Sequence, residues 1–478
     1  MAYSVALLSL GCKVNSYETE HIRENMVKSG FIIVDFSEKA DVYIINTCSV
    51  TNIADRKSRQ MLHRARSLNP DAIVVATGCY VQTEKDVEKL KDVANIIIGN
   101  NHKGEIAKQV LELIDNRLNE QRTIDVQEND DFGELLDDIA MEKSIEELSI
   151  SDYPERSRAF VRIEDGCNQF CSYCIIPYAR GRVRSRDEND ILEEVGMLAS
   201  KGFKEVVLTG IHISSYGYEN YEKMMRSASD QASNTEKDTE IKFDSAPLLH
   251  LVKRISLVKG VERIRLGSLE PRIITREFAA ALKEIPSFCP HFHLSLQSGC
   301  DTVLKRMNRH YSAEEFLEKC SILREVFDRP AITTDVIVGF PGETDEEFDA
   351  TLKMVQKASF AKMHIFKFSR RKGTVADRMP QQLTEKEKHA RSIVIQKLDD
   401  EMKQSYATGF VGEEVKILVE EKENGRIIGL TERYVQVIAE PKDLNTVKEN
   451  ELWNEINVND MVSLKVTKAE NGILFGKL

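Results

Sequence analysis

No uninterrupted apolar run in this 478-residue chain approaches the ~18 residues that a membrane-spanning helix needs. No Lys or Arg precedes Cys12, so the apolar start MAYSVALLSLGC lacks the basic head of an export signal and reads as a buried first strand. The protein is therefore expected in the cytoplasm. Its nine cysteines are an odd number, and in that compartment they argue against a disulfide framework and for metal or catalytic use. A composition of 41% hydrophobic and 30% charged residues excludes wholesale disorder. A chain this long should divide into two to four domains.

Basic side chains are nearly missing from residues 125–152, where eleven Asp and Glu stand against Lys143 alone and account for most of the net charge of −12. The remainder is close to neutral and can still present a basic face to a polyanion. We expect a linker here, with a short helix around GELLDDIAMEKSIEEL.

What is present falls into three regions. Three β-type runs open the chain, and each leads into a cysteine: SVALLSLGC to Cys12, ADVYIINTC to Cys48 and DAIVVATGC to Cys79. Spacings of 36 and 31 residues, filled by helix-like stretches, suit consecutive βαβ units with a parallel sheet buried on both faces. In such sheets ligands bind beyond the carboxyl ends of the strands, where these cysteines fall. Residues 1–124 are thus expected to form an N-terminal parallel α/β domain, followed by the acidic linker 125–152. Six further strand candidates (RAFVRI, EVVLT, ERIRLG, HFHLSL, ITTDVIV and KMHIFKF) alternate with helical stretches and predict a partial (βα)6 barrel over 153–400, with a polar insertion at about 219–245. Residues 404–478 alternate in β fashion around two ENG turns and predict a small β-barrel.

Chemistry concentrates in EDGCNQFCSYCIIPYARGR, where Cys167, Cys171 and Cys174 stand in C-x3-C-x2-C spacing just after the first barrel strand. Three thiolates are one short of a closed metal site. A four-iron cubane held by three cysteines keeps an iron free for another ligand, as catalytic metal sites do. The bland alternative is structural zinc completed by Cys289, Cys300 or a histidine, in a non-catalytic RNA-binding protein. Further polar groups fall at successive strand ends, the rim where barrel enzymes keep their active sites. Thr209 and Gly210 follow the second strand, Ser268 and Glu270 the third, and Ser295 and Gln297 the fourth, so all six are candidate cofactor-binding residues. Thr344, before the acidic run DEEF, reads as a helix N-cap.

The C-x3-C-x2-C signature at the end of a first barrel strand resembles that of the radical S-adenosylmethionine enzymes. The resemblance implies a [4Fe-4S] cluster on Cys167, Cys171 and Cys174 whose fourth iron is chelated by S-adenosylmethionine, which the reduced cluster cleaves to a 5′-deoxyadenosyl radical. Together, the three-cysteine N-terminal region, CSYCIIPYARGRVRSR and the C-terminal barrel resemble the methylthiotransferases. That family implies a second [4Fe-4S] cluster on Cys12, Cys48 and Cys79, where sulfur can be attached and methylated, and a TRAM-like RNA-binding barrel. LGCKVNSYETE is similar to the MtaB-like group, which acts on N6-threonylcarbamoyladenosine at position 37 of tRNA. Sister groups acting on isopentenyladenosine or a ribosomal-protein aspartate read GCQMN or GCPKN there. The implied partners are tRNA and a separate reducing electron donor, with no membrane and with the protein a monomer or weak oligomer.

Arg180, Arg182, Arg184 and Arg186 alternate after the triad and would share one side of an extended segment, a rail for phosphates. Lys57, Arg59, Arg64 and Arg66, and then Lys367, Arg370, Arg371 and Lys372, form further basic clusters. Cys289, Cys300 and Cys320 receive no role, and His212, His291, His293 and His364 are read as packing residues.

Overall fold

The computed structural model describes residues 2–84, 87–120, 133–153, 157–217, 247–423, 425–440 and 453–478. The expected insertion at 219–245 and the linker residues 125–132 lie outside the described residues. The chain forms two compact units, neither continuous in sequence. The first holds Met1–Asp152, Arg162–Arg186 and Ser369–Asp377, and the second holds Tyr153–Val161, Asp187–Phe368 and Arg378–Leu478.

The first unit is built on β1 (Ser4–Ser9), β2 (Ile32–Val34), β3 (Val42–Thr47), β4 (Ile73–Gly78), β5 (Ile96–Ile98) and β6 (Gly133–Leu135). Their order is β2-β1-β3-β4-β5-β6, and every pairing is parallel. Alternate residues enter two separate cores. Tyr43, Ile45, Val74 and Ala76 join one, while Val42, Ile44, Ile73 and Val75 join the other. The sheet is therefore buried on both faces, as its unbroken apolar runs require. One expectation fails. Gly133–Leu135 is the sixth strand, not the start of a helix, and the described residues of the acidic stretch contain no helix. Registering against Ile96–Ile98 gives these residues backbone partners that outweigh a helical side-chain period.

Also in the first unit, β8 (Glu164–Asp165) pairs antiparallel with β9 (Arg184–Ser185) and closes the loop that carries the cysteine motif.

The second unit contains the barrel strands: β7 (Arg158–Arg162, of which Arg162 belongs to the first unit), β10 (Glu205–Thr209), β11 (Arg263–Leu266), β12 (Ser268–Leu269), β13 (His291–Leu294), β14 (Ala331–Val338) and β15 (Lys362–Lys367). Strands β11-β10-β7 and β12-β13-β14-β15 form two sheets, and Gly267 alone separates β11 from β12. Six strand positions thus match the six expected runs in a partial barrel. The outer face of the second sheet is apolar: Phe292 packs on Phe327 with ring centroids 5.2 Å apart. At the open edge, the helix Glu385–Thr408 supplies Asp399, whose carboxylate accepts the Met363 N–H at 2.6 Å and so caps an edge-strand donor. The same unit ends in a closed five-stranded barrel, β16 (Glu414–Glu423), β17 (Arg426–Thr431), β18 (Gln436–Ala439), β20 (Ile473–Lys477) and β19 (Met461–Glu470), in that order around the ring. Its core includes Ile417, Val437, Trp453 and Leu464.

Candidate iron–sulfur and cofactor site

Cys12, Cys48 and Cys79 follow β1, β3 and β4, which are neighbours in the sheet, so adjacency of the strands gathers the thiols at one edge. Gly11 makes the approach possible. It holds φ +103°, and a Cβ there would lie 2.6 Å from the Cys48 sulfur. Asn15 ties the loops together, donating to the carbonyls of Leu10 at 2.8 Å and Thr47 at 2.9 Å while its Oδ1 accepts from Cys12 Sγ at 3.6 Å. Asn100 donates to Cys79 Sγ at 3.7 Å and takes a 2.6 Å bond from Lys103 Nζ. Burial raises the Cys48 thiol to about 11 and also raises Cys12, which is exposed as a residue although its sulfur is closely surrounded; the Arg180 charge opposes both shifts. Binding a metal must therefore displace protons from these thiols.

Beneath them lies a dry ionic network. Arg180, with no exposed surface, donates to Glu18 Oε1 at 2.8 Å, to both Asp165 oxygens at 3.1 Å and to Asn15 Oδ1 at 2.7 Å. Lys103 reaches Glu18 at 3.2 Å, and Arg162 lies 3.6 Å from it. Burial alone would raise the Glu18 carboxyl, but Arg180, Lys103 and Arg162 hold it far below the usual carboxylate range. Asp165 then accepts the Gly166 N–H at 2.9 Å, one residue before Cys167. A single arginine thus touches residues that hold the first cysteine loop of each set, Asn15 beside Cys12 and Asp165 beside Cys167.

The second set sits on a strained loop. Gly166 holds φ +84°, and a Cβ there would lie 2.0 Å from the Arg182 carbonyl oxygen. Cys167 N–H donates to Gly181 O at 3.1 Å, and Cys174 N–H to Cys171 O at 2.9 Å. Phe170 has φ +46° and stacks edge-on against Tyr178, while Arg182 covers its other side at 4.4 Å. All three cysteines are half-buried.

Among the described residues, no cysteine belongs to a set of three His, Cys, Asp or Glu ligand atoms lying within 4.8 Å of one another. A tetrahedral zinc thiolate site needs sulfurs about 3.8 Å apart. Three thiols in each set leave a zinc thiolate site one protein ligand short and match the ligand number of a cubane with one open corner. Cys289 and Cys320 are buried, with thiols pushed up to about 12 by desolvation, and act as small apolar fillers.

The arginine rail is not formed. Arg180 ends the helix Ile176–Arg180 and Gly181 turns the chain, so the extended alternation is broken before it starts. Arg184 is buried, donating to Arg180 O at 2.7 Å and Ser144 O at 3.3 Å; Arg186 is buried on Glu147 at 2.9 Å and Tyr17 OH at 3.2 Å. Only Arg182 of the four is exposed. Of these partners Ser144 and Glu147 belong to the acidic stretch, and the Glu147 carboxylate pairs with Arg186. Arg371, expected on a basic surface, is likewise buried, donating to Asp55 at 2.7 Å, Ser49 at 2.7 Å and Asn52 at 2.9 Å around the loop after Cys48.

The cofactor-binding candidates of the second unit form a continuous line along strand ends. Gly267 N–H donates to Leu208 O beside Thr209 and Gly210, Ser295 N–H donates to Leu269 O between Ser268 and Glu270, and Gln297 exchanges backbone bonds with Asp335 and Ile337. The Glu270 carboxylate is occupied by Arg272, at 2.8 Å from Nε and 3.1 Å from the backbone N–H. Gln297 holds φ +68°. His212, read as packing, is half-buried here with Nδ1 2.7 Å from Ser215 Oγ. Sequence reasoning did not single out Asn15, Glu18, Asn100 or Lys103; the first two lie in the CKVNSYE segment that carried the family resemblance, where their spacing of three marks one helix face.

A three-thiol loop after a barrel strand defines the class: an iron–sulfur enzyme of the radical SAM type. The profile of the Radical SAM superfamily matches residues 161–355, and that of Uncharacterized protein family UPF0004 matches residues 4–99. The chain is 37% identical to the threonylcarbamoyladenosine tRNA methylthiotransferase MtaB of Bacillus subtilis, over 91% of this chain and 90% of that one. It is 37% identical to MtaB of Aquifex aeolicus, covering 91% and 96%. It is 31% identical to a tRNA-2-methylthio-N(6)-dimethylallyladenosine synthase of Thermodesulfovibrio yellowstonii, covering 99% and 98%. The chain belongs to the radical SAM methylthiotransferase family and is an enzyme. Membership brings S-adenosylmethionine and a [4Fe-4S] cluster. No helix among the described residues is long and apolar enough to cross a membrane.

Proposed function

We propose that this enzyme converts N6-threonylcarbamoyladenosine at position 37 of tRNA to its 2-methylthio derivative. The observation that carries the reading is a pair of cysteine trios in one compact unit, in a chain alignable over nine-tenths of its length with MtaB relatives. Cys167, Cys171 and Cys174 hold the cluster of the radical SAM class, and Cys12, Cys48 and Cys79 hold a second. When bound, the first supplies one-electron chemistry, the reductive cleavage of S-adenosylmethionine by which the C2 hydrogen is abstracted. The chain's own residues do the positioning. Asn15 and Asn100 orient two thiols of the N-terminal set, and Gly166 lets the Cys167 loop pass the Arg182 carbonyl. Arg180 keeps positive charge beside the N-terminal thiols and lowers the cost of ionising them. Thr209, Gly210, Ser268, Glu270, Ser295 and Gln297 border the cofactor. Arg182 and the TRAM-like C-terminal barrel contact RNA, where an unpaired base beside the anticodon can be turned out of its stack. A separate donor supplies electrons, and the enzyme works in the cytoplasm as a monomer or weak oligomer.

Nucleoside mass spectrometry of tRNA from a deletion strain tests the substrate. Loss of the methylthio form of threonylcarbamoyladenosine, with methylthio-isopentenyladenosine retained, is expected. Persistence of the former in a strain with no other such enzyme overturns the assignment. The relative named for dimethylallyladenosine supports the second reading, which the opposite loss pattern would establish.

A further inference from the structure

On the second barrel sheet, three side chains come together that neither cysteine site uses. Thr333 is the ladder partner of both His293 on β13 and Lys362 on β15, and Asp335 pairs with His364. Side chains two residues apart on a strand share a face, so His293, Asp335 and His364 project on the same side. It is opposite to the side that buries Phe292, Leu294, Thr334 and Val336, and is therefore the inner face of the barrel sheet. One ligand atom from each of the three lies within 4.8 Å of the others, and His293 Nε2 is 3.3 Å from Asp335 Oδ2.

We propose that His293, Asp335 and His364 bind a single divalent first-row transition ion inside the barrel. Two imidazoles and one carboxylate converging from neighbouring strands are a donor set suited to zinc, ferrous iron or manganese, and they leave coordination positions open toward the interior. The surroundings orient the first ligand. His293 Nδ1 is 3.0 Å from Thr333 Oγ1, which also lies 3.3 Å from His291 Nε2. A metal on Nε2 requires the imidazole proton on Nδ1, where Thr333 Oγ1 is placed to accept it, and the Asp335 carboxylate already lies 3.3 Å from Nε2. The His293 and His364 rings are 5.6 Å apart, close enough for small side-chain rotations to bring both nitrogens to one ion. Charges on both sides bear on the site. Lys362 opposes a cation, while Asp399 adds a carboxylate field at His364. The site contains no cysteine and does not rest on the chemistry proposed for the thiols.

Zinc is the probe. Holoenzyme with its clusters in place is dialysed anaerobically against micromolar zinc, and zinc per chain is counted by mass spectrometry. Wild-type protein is expected to take up one equivalent, with an anomalous peak among the three side chains in crystals of the same preparation. Asp335→Asn and His364→Gln should abolish that equivalent, and Thr333→Val should weaken binding about 10- to 100-fold by freeing the His293 ring. Cys171→Ala should retain it. His364 is exposed on an edge strand, so its substitution spares the core and keeps the test usable if Asp335→Asn does not fold. Absence of zinc from wild-type protein, an equivalent that survives both ligand substitutions, or an anomalous peak elsewhere would overturn the proposal.

Discussion

Arg180 is the residue on which the most structure depends. Its guanidinium spans Glu18, Asp165 and Asn15, all within the first unit and all buried. Removing one member of such a network leaves uncompensated charge in a dry interior, which costs about 3–5 kcal/mol. Arg180→Ala should therefore lower the unfolding temperature markedly. Arg180→Lys should recover little of the loss, because an ammonium cannot reproduce the planar fork that serves three acceptors. Unchanged melting of Arg180→Ala would remove the network from any account of stability. His212 yields a pH prediction of the opposite charge type. Burial lowers it from 6.5 to about 4, with Arg309 and Arg272 assisting and Glu270 opposing. A depressed folded-state value means that the stabilisation is complete above pH 6.5 and is lost as the pH falls toward 4, at most about 3 kcal/mol in all. His212→Gln should flatten the melting temperature between pH 7 and pH 5 relative to wild type; parallel profiles would refute the assignment. The cysteines were legible because thiol spacing is a short-range signal. The arginines were not, since a helix end at Arg180 and a turn at Gly181 decide which way each side chain points.

Elements with strong local signals behave as their sequences demand. Each expected barrel run is short with clear boundaries, and all six are strands. The expectation for Thr344 holds as well. Its hydroxyl accepts the Glu347 N–H at 3.2 Å while the Glu347 carboxylate accepts the Thr344 N–H at 3.0 Å, closing a capping box on the helix Asp345–Ala358. Hydrogen bonds from Arg306 then hold the Glu347 carboxyl down at about 2, despite its partial burial. Thr344→Ala should weaken that first turn by about 1 kcal/mol, seen as roughly five-fold faster amide exchange at its N-terminal residues with little change elsewhere. Exchange at the wild-type rate would mean that Arg306 and Glu347 hold the turn without the threonine. β6 shows where local signals stop. GEL begins a stretch with a helical period, yet it becomes a strand because the exposed edge of β5 offers it partners thirty-odd residues away in sequence.

For the whole molecule, the boundaries expected from sequence divide a chain that folds discontinuously. Composition changes mark where one kind of element gives way to another, but they do not report that residues 162–186 and 369–377 return to complete the first unit. Those returning segments carry much of what holds it together: Arg180 and Arg162 on Glu18, Arg371 on Asp55, Arg184 and Arg186 on the acidic stretch, and the 2.7 Å bond from Ala376 N–H to Ser172 O. Residues 1–152 contain the whole six-stranded sheet together with Cys12, Cys48 and Cys79. Without the returning arginines, however, Glu18 would be buried beside Lys103 only, and Glu147 and Asp55 would lose their cations. The fragment should consequently melt well below the corresponding transition of the full chain, and should regain stability when residues 157–190 are supplied in trans. Cooperative unfolding of the fragment at the full-chain temperature would show that the sheet and its two apolar cores suffice, and that the buried ionic network serves the thiols alone.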